Sequence, residues 1–268
     1  METKPKITVP GIVEMKKRGE KIACLTAYDW LLAGLLDASG VDIVLVGDSG
    51  AMVFAGHKTT LPITMEEMLY HTRAVSSGVG CALVIADMPF LSYQIGREDA
   101  LRNAGRFLKE GNAQGVKVEG GKPVAETIRA MVDIGIPVMG HLGLTPQSIQ
   151  VFGSYRLRGK DAQEAGELKR DAKILEDAGV FSIVLEKIPA DLAGEITRSL
   201  TVPTIGIGAG PHCDGQILVT PDMLGLFEAF KPKFVRQYAD LAATIRKAVG
   251  TYVQDVKNKT YPTKEESY

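Results

Sequence analysis

The 268-residue chain is 45% apolar and 24% charged, with a net charge of -1, the balance of a globular protein with a large core. That balance and a pI near 6.5 leave no electrostatic footprint for nucleic acid or an anionic membrane. Three scattered cysteines, Cys24, Cys81 and Cys213, have no CxxC spacing and read as reduced thiols instead of a disulfide framework. METKPKITVPG lacks the apolar core of a signal peptide, and no stretch reaches ~20 apolar residues, so a soluble, cytosolic protein is expected.

Short apolar runs recur along the chain: Ala23–Ala27, Ile43–Val46, Ala82–Ala86, Val116–Val118, Pro137–Met139, Ser182–Leu185, Thr204–Ile207 and Gln216–Val219. They show little polar alternation, as strands of a parallel sheet covered by helices do. Between them lie segments of helical period. Thr64–Met65–Glu66–Glu67 is a capping box ahead of Met68, Leu69 and Val75. Leu101, Ala104, Gly105 and Leu108 form a stripe that Gly111 is placed to stop. Pro123 fits a first helical position before Ile128, Met131 and Val132. Ala165, Leu168, Ala172 and Leu175 make the next stripe, and Phe234, Tyr238, Leu241 and Ile245 the last. Gly40-Val41, Gly78-Val79, Gly115-Val116, Gly135-Ile136 and Gly179-Val180 each read as a helix end opening a strand.

With no linker or low-complexity tract, residues 1–268 are expected to form one domain, with a short N-terminal extension and a polar tail from about Asn258. Eight βα units can close into a (β/α)8 TIM-type barrel or lie as an open doubly wound sheet. The open sheet should carry a phosphate loop after an early strand, yet there is no GxGxxG and no P-loop. Gly206–Ile207–Gly208–Ala209–Gly210 comes late and outside that context. The barrel is favoured.

Barrel active sites lie at the C-terminal strand ends. Those ends read Tyr28-Asp29, Gly47-Asp48-Ser49, Asp87-Met88-Pro89, Lys117-Val118-Glu119, Gly140-His141, Glu186, Gly208-Ala209-Gly210 and Pro221-Asp222. Asp48, Asp87 and Glu119 follow apolar strands, where unpaired carboxylates are costly. A hard cation such as Mg²⁺ would neutralise them; alternatively, each acid caps the following helix. Lys117 shares a strand face with Glu119, so it either binds a substrate carboxylate or developing enolate or forms a salt bridge. Glu186 reads as a general base or as the partner of Lys187 or another cation. His141 reads as a supporting residue. His57, His71 and His212 form no HxH or HExxH zinc spacing. Cys24 and Cys81 read as core thiols within strands, and Cys213 as structural. No GxSxG elbow is present.

These residues lie in long ordered blocks: Thr26–Ala27–Tyr28–Asp29, Val46–Gly47–Asp48–Ser49, Gly56–His57, Thr60–Leu61–Pro62, Asp87–Met88–Pro89–Phe90, Ser92–Tyr93–Gln94, Asn103–Ala104–Gly105–Arg106, Val116–Lys117–Val118–Glu119–Gly120–Gly121, Gly140–His141–Leu142–Gly143–Leu144–Thr145–Pro146–Gln147–Ser148 and Cys213–Asp214–Gly215–Gln216. From about Thr8 to Ala248 the chain resembles the ketopantoate hydroxymethyltransferase family. One departure stands out, since Gly50–Ala51 replaces the family's Leu-Gly. The resemblance implies a barrel of the phosphoenolpyruvate/pyruvate-domain kind, with Asp48, Asp87 and Glu119 at Mg²⁺, Glu119 through water. It implies that Ser49 and Lys117, with Asp48 and Asp87, contact the substrate and that Glu186 is the acid/base. It further implies hydroxymethyl transfer from 5,10-methylenetetrahydrofolate to 3-methyl-2-oxobutanoate through a Mg²⁺-stabilised enolate, giving 2-dehydropantoate for pantothenate and coenzyme A, by a cytoplasmic homodecamer. The competing readings are another Mg²⁺-dependent 2-oxo-acid aldolase or lyase, a Schiff-base aldolase using Lys117, and a barrel that only binds small molecules or scaffolds an oligomer.

Overall fold

A computed structural model describes residues 5–268; the first four residues of the N-terminal stretch lie outside the described residues. Contacts divide the chain into two compact units, one ending at Leu218 and one running from Val219 to Tyr268. The first unit holds the barrel. Its strands are β1 (Ile22–Thr26), β2 (Ile43–Val46), β3 (Leu83–Asp87), β4 (Gly115–Glu119), β5 (Val138–Gly143), β6 (Ser182–Glu186), β7 (Thr204–Ile207) and β8 (Gly215–Leu218). Each pairs in parallel with the next, and β8 returns to β1, closing the sheet. The eight runs read from the sequence are these strands, shifted by one residue at several ends, except that β5 runs four residues beyond the expected Met139, to Gly143. The open-sheet alternative is excluded.

Strand side chains alternate between two layers, as a period of two demands. Val44, Val46, Val84, Ala86, Val116, Val118, Ile183 and Leu185 pack outward with the helices. Ile22, Cys24, Ile43, Leu45, Leu83, Ile85, Met139, Val184, Ile205 and Ile217 form a separate inner cluster. The inner series then changes character toward the C-terminal ends. Leu83 and Ile85 lead to Asp87, Gly115 leads to Lys117 and Glu119, Met139 leads to His141, and Ser182 and Val184 lead to Glu186.

The helices start and stop where local chemistry directs. Thr64 and Glu67 close the reciprocal capping box of the helix Met65–Gly78. Pro123 enters a 3₁₀ turn, Lys122–Val124, that leads into the helix Ala125–Asp133 and buries Ile128 and Met131. In the helix Arg97–Lys109 the buried stripe is Ala100, Ala104 and Phe107, with Leu101 and Leu108 flanking it against the core. Leu168, Ala172 and Leu175 bury one side of the helix Ala162–Ala178. Gly40, Gly135 and Gly179 take left-handed conformations, with φ of 86°, 88° and 95°, as expected for glycines past helix ends. Gly78 and Gly115 do not act that way. Gly78 is the last helical residue, and Gly115 opens β4. Cys24 is buried in β1, whereas Cys81 is half-buried and precedes β3.

In the second unit the last stripe needs correcting. The helix begins only at Leu241, capped by Asp240, and runs to Lys257. Phe234 and Tyr238 lie in irregular chain before it, where the Tyr238 amide donates to the Met223 carbonyl at 2.8 Å instead of to a helical partner. Asp222 lies in the short helix Thr220–Met223 of this unit.

Candidate active site

Strand register brings the ionisable ends together. Asp87 lies level with Lys117, Glu119 with His141, and Gly143 with Glu186. Asp48, Asp87, Lys117, Glu119 and His141 are each no more than 5% exposed, so every charge here must find a partner or a ligand. The Lys117 ammonium faces Asp87 Oδ1 at 3.2 Å and Glu119 Oε1 at 3.6 Å, and lies 3.1 Å from His141 Nδ1. His141 then bridges two acids, with Nδ1 3.4 Å from Glu119 Oε1 and Nε2 3.4 Å from Glu186 Oε2.

Sequence left open whether the acids cap helices, and the geometry separates them. Asp29 is a cap, accepting from Leu32 N at 2.9 Å. Asp48 and Asp87 are not. The Asp48 amide donates to Asp87 Oδ2 at 3.0 Å, and Asp48 Oδ2 accepts from the Gln147 side chain at 3.0 Å. Glu119 Oε2 accepts from Gln147 N at 2.9 Å. Asp87 Oδ1, Glu119 Oε1 and His141 Nε2 remain buried without a hydrogen-bond partner. Lys187 is not the partner of Glu186, because its ammonium donates to the Tyr155 carbonyl. Its left-handed backbone, φ 45°, is the kind of local strain found beside functional groups.

Electrostatics divides the acids. Burial, then repulsion from Asp87 and Glu119, pushes Asp48 well above the ordinary carboxylate range. Burial raises Asp87 too, against the pull of Lys117. Burial would also raise Glu119, but Lys117, His141 and the Gln147 amide outweigh it and hold its pKa below normal. Burial disfavours the Lys117 cation, yet Asp87, Glu119 and Asp48 hold its pKa above the ordinary lysine value. Burial and Lys117 oppose protonation of His141; Glu119 and Glu186 prevail, raising it to about 9.

Ser49 joins through a hydroxyl relay, its Oγ 2.8 Å from Tyr28 OH, which donates to Thr26 Oγ1 at 3.0 Å. The departure at Gly50 belongs to this corner. The loop folds into one helical turn, Gly50–Val53, and a Cβ at Gly50 would lie 2.9 Å from the Tyr28 ring. Here the missing side chain lets Tyr28 close over the loop.

All the expected residues thus meet at one mouth, as one connected set from Asp48 to Glu186, with Ser49 beside it. Among the described residues, no three carboxylate, imidazole or thiol groups converge as a ready-made ion cage; Glu119 turns toward Lys117 and His141, not toward the Asp48–Asp87 pair. Sequence reasoning assigned no role to Gln147 or Tyr93, which are 6% and 2% exposed. The available signal was a glutamine just after the Thr145–Pro146 turn at the end of β5.

The chain matches the family described as ketopantoate hydroxymethyltransferase over residues 6–264. The 3-methyl-2-oxobutanoate hydroxymethyltransferase of Chlorobaculum parvum is 59% identical to it, covering 98% of this chain and 97% of that one. The protein of the same name from Syntrophus aciditrophicus is 56% identical, with 98% and 97% covered. Among solved structures, phosphonopyruvate hydrolase in complex with oxalate and Mg²⁺ superposes with a TM-score of 0.61 at 15% identity, covering 97% of this chain and 93% of that one. The 2,3-dimethylmalate lyase of the PEP mutase/isocitrate lyase superfamily gives 0.59 at 17% identity, covering 98% and 93%. These two likenesses are of fold alone, the closed barrel of eight parallel strands. Matched along nearly its whole length by proteins of one name, the chain belongs to the ketopantoate hydroxymethyltransferase family and is an enzyme of hydroxymethyl transfer.

Proposed function

We propose that the chain transfers a hydroxymethyl group from 5,10-methylenetetrahydrofolate to 3-methyl-2-oxobutanoate, forming 2-dehydropantoate for pantothenate synthesis. One observation carries this reading. Asp48, Asp87 and Glu119 share a buried mouth with one ammonium, while Asp87 Oδ1 and Glu119 Oε1 accept no hydrogen bond. These oxygens meet only the ion-pair contacts of Lys117 and His141, and an all-oxygen donor set of this kind fits Mg²⁺, which takes one or two carboxylates and leaves its other positions to water and substrate. Asp48 and Asp87 would hold the ion, with Glu119 acting through water; the lack of a closed three-group cage suits an ion that substrate oxygens must complete. When bound, Mg²⁺ would supply Lewis-acid polarisation of the 2-oxo group.

The chain's own residues then do the rest. Lys117, kept charged by its acidic neighbours, stabilises negative charge as it develops on the oxo acid. Glu186 takes the C3 proton, and His141 beside it orients it. The resulting carbon nucleophile forms the new C–C bond to the one-carbon unit, which is at the formaldehyde oxidation level; one water supplies the hydroxyl oxygen and tetrahydrofolate leaves. Ser49, fixed by Tyr28, contacts the substrate at the rim. A charged Lys117 is the opposite of what a Schiff-base amine needs. Cytoplasmic action as a homodecamer completes the proposal. Supporting it, exposed Trp30, Leu31 and Leu35 give one helix an apolar face of the kind subunit contacts cover, and no described helix is long and apolar enough to cross a membrane.

Mass spectrometry of the purified chain with both substrates should show 2-dehydropantoate, lost with EDTA and restored by Mg²⁺. Product made equally well in EDTA, together with borohydride trapping of substrate on Lys117, would replace this reading with the Schiff-base aldolase. Light scattering at the monomer mass would remove the decamer.

A further inference from the structure

The three acids at the mouth are each anchored by one oxygen. Asp87 Oδ2 is held by the Asp48 amide at 3.0 Å, Glu119 Oε2 by Gln147 N at 2.9 Å, and Asp48 Oδ2 by Gln147 Nε2 at 3.0 Å. Two of these three anchors come from one residue. Gln147 reaches the acid after β2 with its side chain, across 99 positions of sequence, and the acid ending β4 with its backbone, across 28.

The amide can do this in only one orientation. Its Oε1 accepts from Tyr93 OH at 2.7 Å and from Gln94 Nε2 at 3.2 Å. Its two N–H groups are spent on Asp48 Oδ2 and on the Met88 carbonyl at 2.9 Å. A flipped amide would set its oxygen against a carboxylate and a carbonyl, acceptor against acceptor. Tyr93 is itself fixed, accepting from Glu119 N at 3.2 Å. Buried polar groups satisfied to this degree hold their partners in single conformations.

We propose that Gln147, with its amide set by Tyr93, is a positioning residue for ligand binding: it holds Asp48 by one oxygen so that the other is left for the 2-oxo acid and its ion, and Glu119 by one oxygen so that the other stays on Lys117 and His141. This deepens the function proposed above and rests on it. A glutamine that merely filled space, or tied its loop to Met88, would matter for stability alone.

The test is calorimetric titration of 3-methyl-2-oxobutanoate with Mg²⁺ into the wild-type chain, Gln147→Met and Tyr93→Phe, with thermal melting of each. Gln147→Met should weaken Mg²⁺-dependent binding by about tenfold or more, the loss typical when a group orienting a metal ligand is removed. Tyr93→Phe removes one oxygen and leaves Gln94 on the amide, so a smaller loss in the same direction is expected. It also decides the matter if Gln147→Met does not fold. Unchanged affinity in the folded variants, whatever their melting temperatures, would overturn the positioning role. Absence of Mg²⁺-dependent binding in the wild-type chain would instead overturn the functional reading, and this inference with it.

Discussion

The floor and the mouth of this barrel are built on the same strands by the same alternation, yet they are opposite environments. The floor is a closed apolar cluster that includes Ile43, Leu45, Leu83, Ile85 and Met139. Two residues further along the same inward series stand Asp87 and His141, with Lys117 and Glu119 beside them, equally buried but ionisable. Apolar burial at the floor and under the helices stabilises the fold, whereas raised pKa values at Asp48 and Asp87 mean that the mouth opposes it. Binding sites commonly trade stability for function in this way.

Four substitutions sharpen or break that contrast. The largest effect is expected from Glu186→Gln. It should slow exchange of the substrate C3 proton by about 10²–10⁴-fold, the usual worth of a positioned base, and leave Mg²⁺-dependent oxo-acid binding intact in calorimetry. Exchange at the wild-type rate would remove Glu186 as the base. At the floor, Ile85→Ala should cost about 2–5 kcal/mol of stability, a large-to-small core loss, while transfer per folded molecule stays unchanged. A variant of normal stability in urea unfolding would show that the floor is not the stabilising region.

The mouth should respond with the other sign. In EDTA, Asp48→Asn removes a charge that burial and two like neighbours disfavour, so the ion-free chain should melt higher by about 2–4 °C per kcal/mol relieved, while Mg²⁺-dependent oxo-acid binding weakens. A lower melting point would contradict the electrostatic contrast. Asp48 and Asp87 carry raised folded-state pKa values, so their stabilising contribution is fully present at low pH and is lost as pH rises through those values.

Glu176, on the outside of the barrel, supplies the control. Burial would raise it, but Lys173, both hydrogen-bonding groups of Thr201 and the Val202 amide lower it to about 2, from an ordinary 4.5. Its contribution is therefore present above about 4.5 and lost as pH falls toward about 2. Glu176→Ala should be the mildest change, costing about 1–3 kcal/mol at neutral pH and nothing once both states are protonated. A cost that persisted at the acid end would assign Glu176 a packing role instead.

What sequence could and could not reveal follows from range. The eight strands were legible because apolar, β-branched runs report burial on both faces locally, and Thr64–Glu67 because a capping box is complete within four residues. Asp48, Asp87, Glu119, Lys117, His141 and Glu186 were legible because each interrupts an apolar run at a strand end. Gln147 was not: its importance lies in contacts with Asp48 and Tyr93, which only the closed barrel brings near. Phe234 and Tyr238 misled because their spacing with Leu241 and Ile245 mimics one helical face across a proline-bearing loop. The Glu186 partner was equally beyond reach, since choosing His141 over adjacent Lys187 depends on which way a left-handed residue turns its side chain.

The most direct measurement is proton NMR of 3-methyl-2-oxobutanoate in D₂O with the wild-type chain and no folate. With Mg²⁺ present the C3–H signal should fade as deuterium enters, and chelation should stop it. Exchange indifferent to chelation, or none with Mg²⁺ saturating, would contradict an ion and a carboxylate base acting together at this mouth.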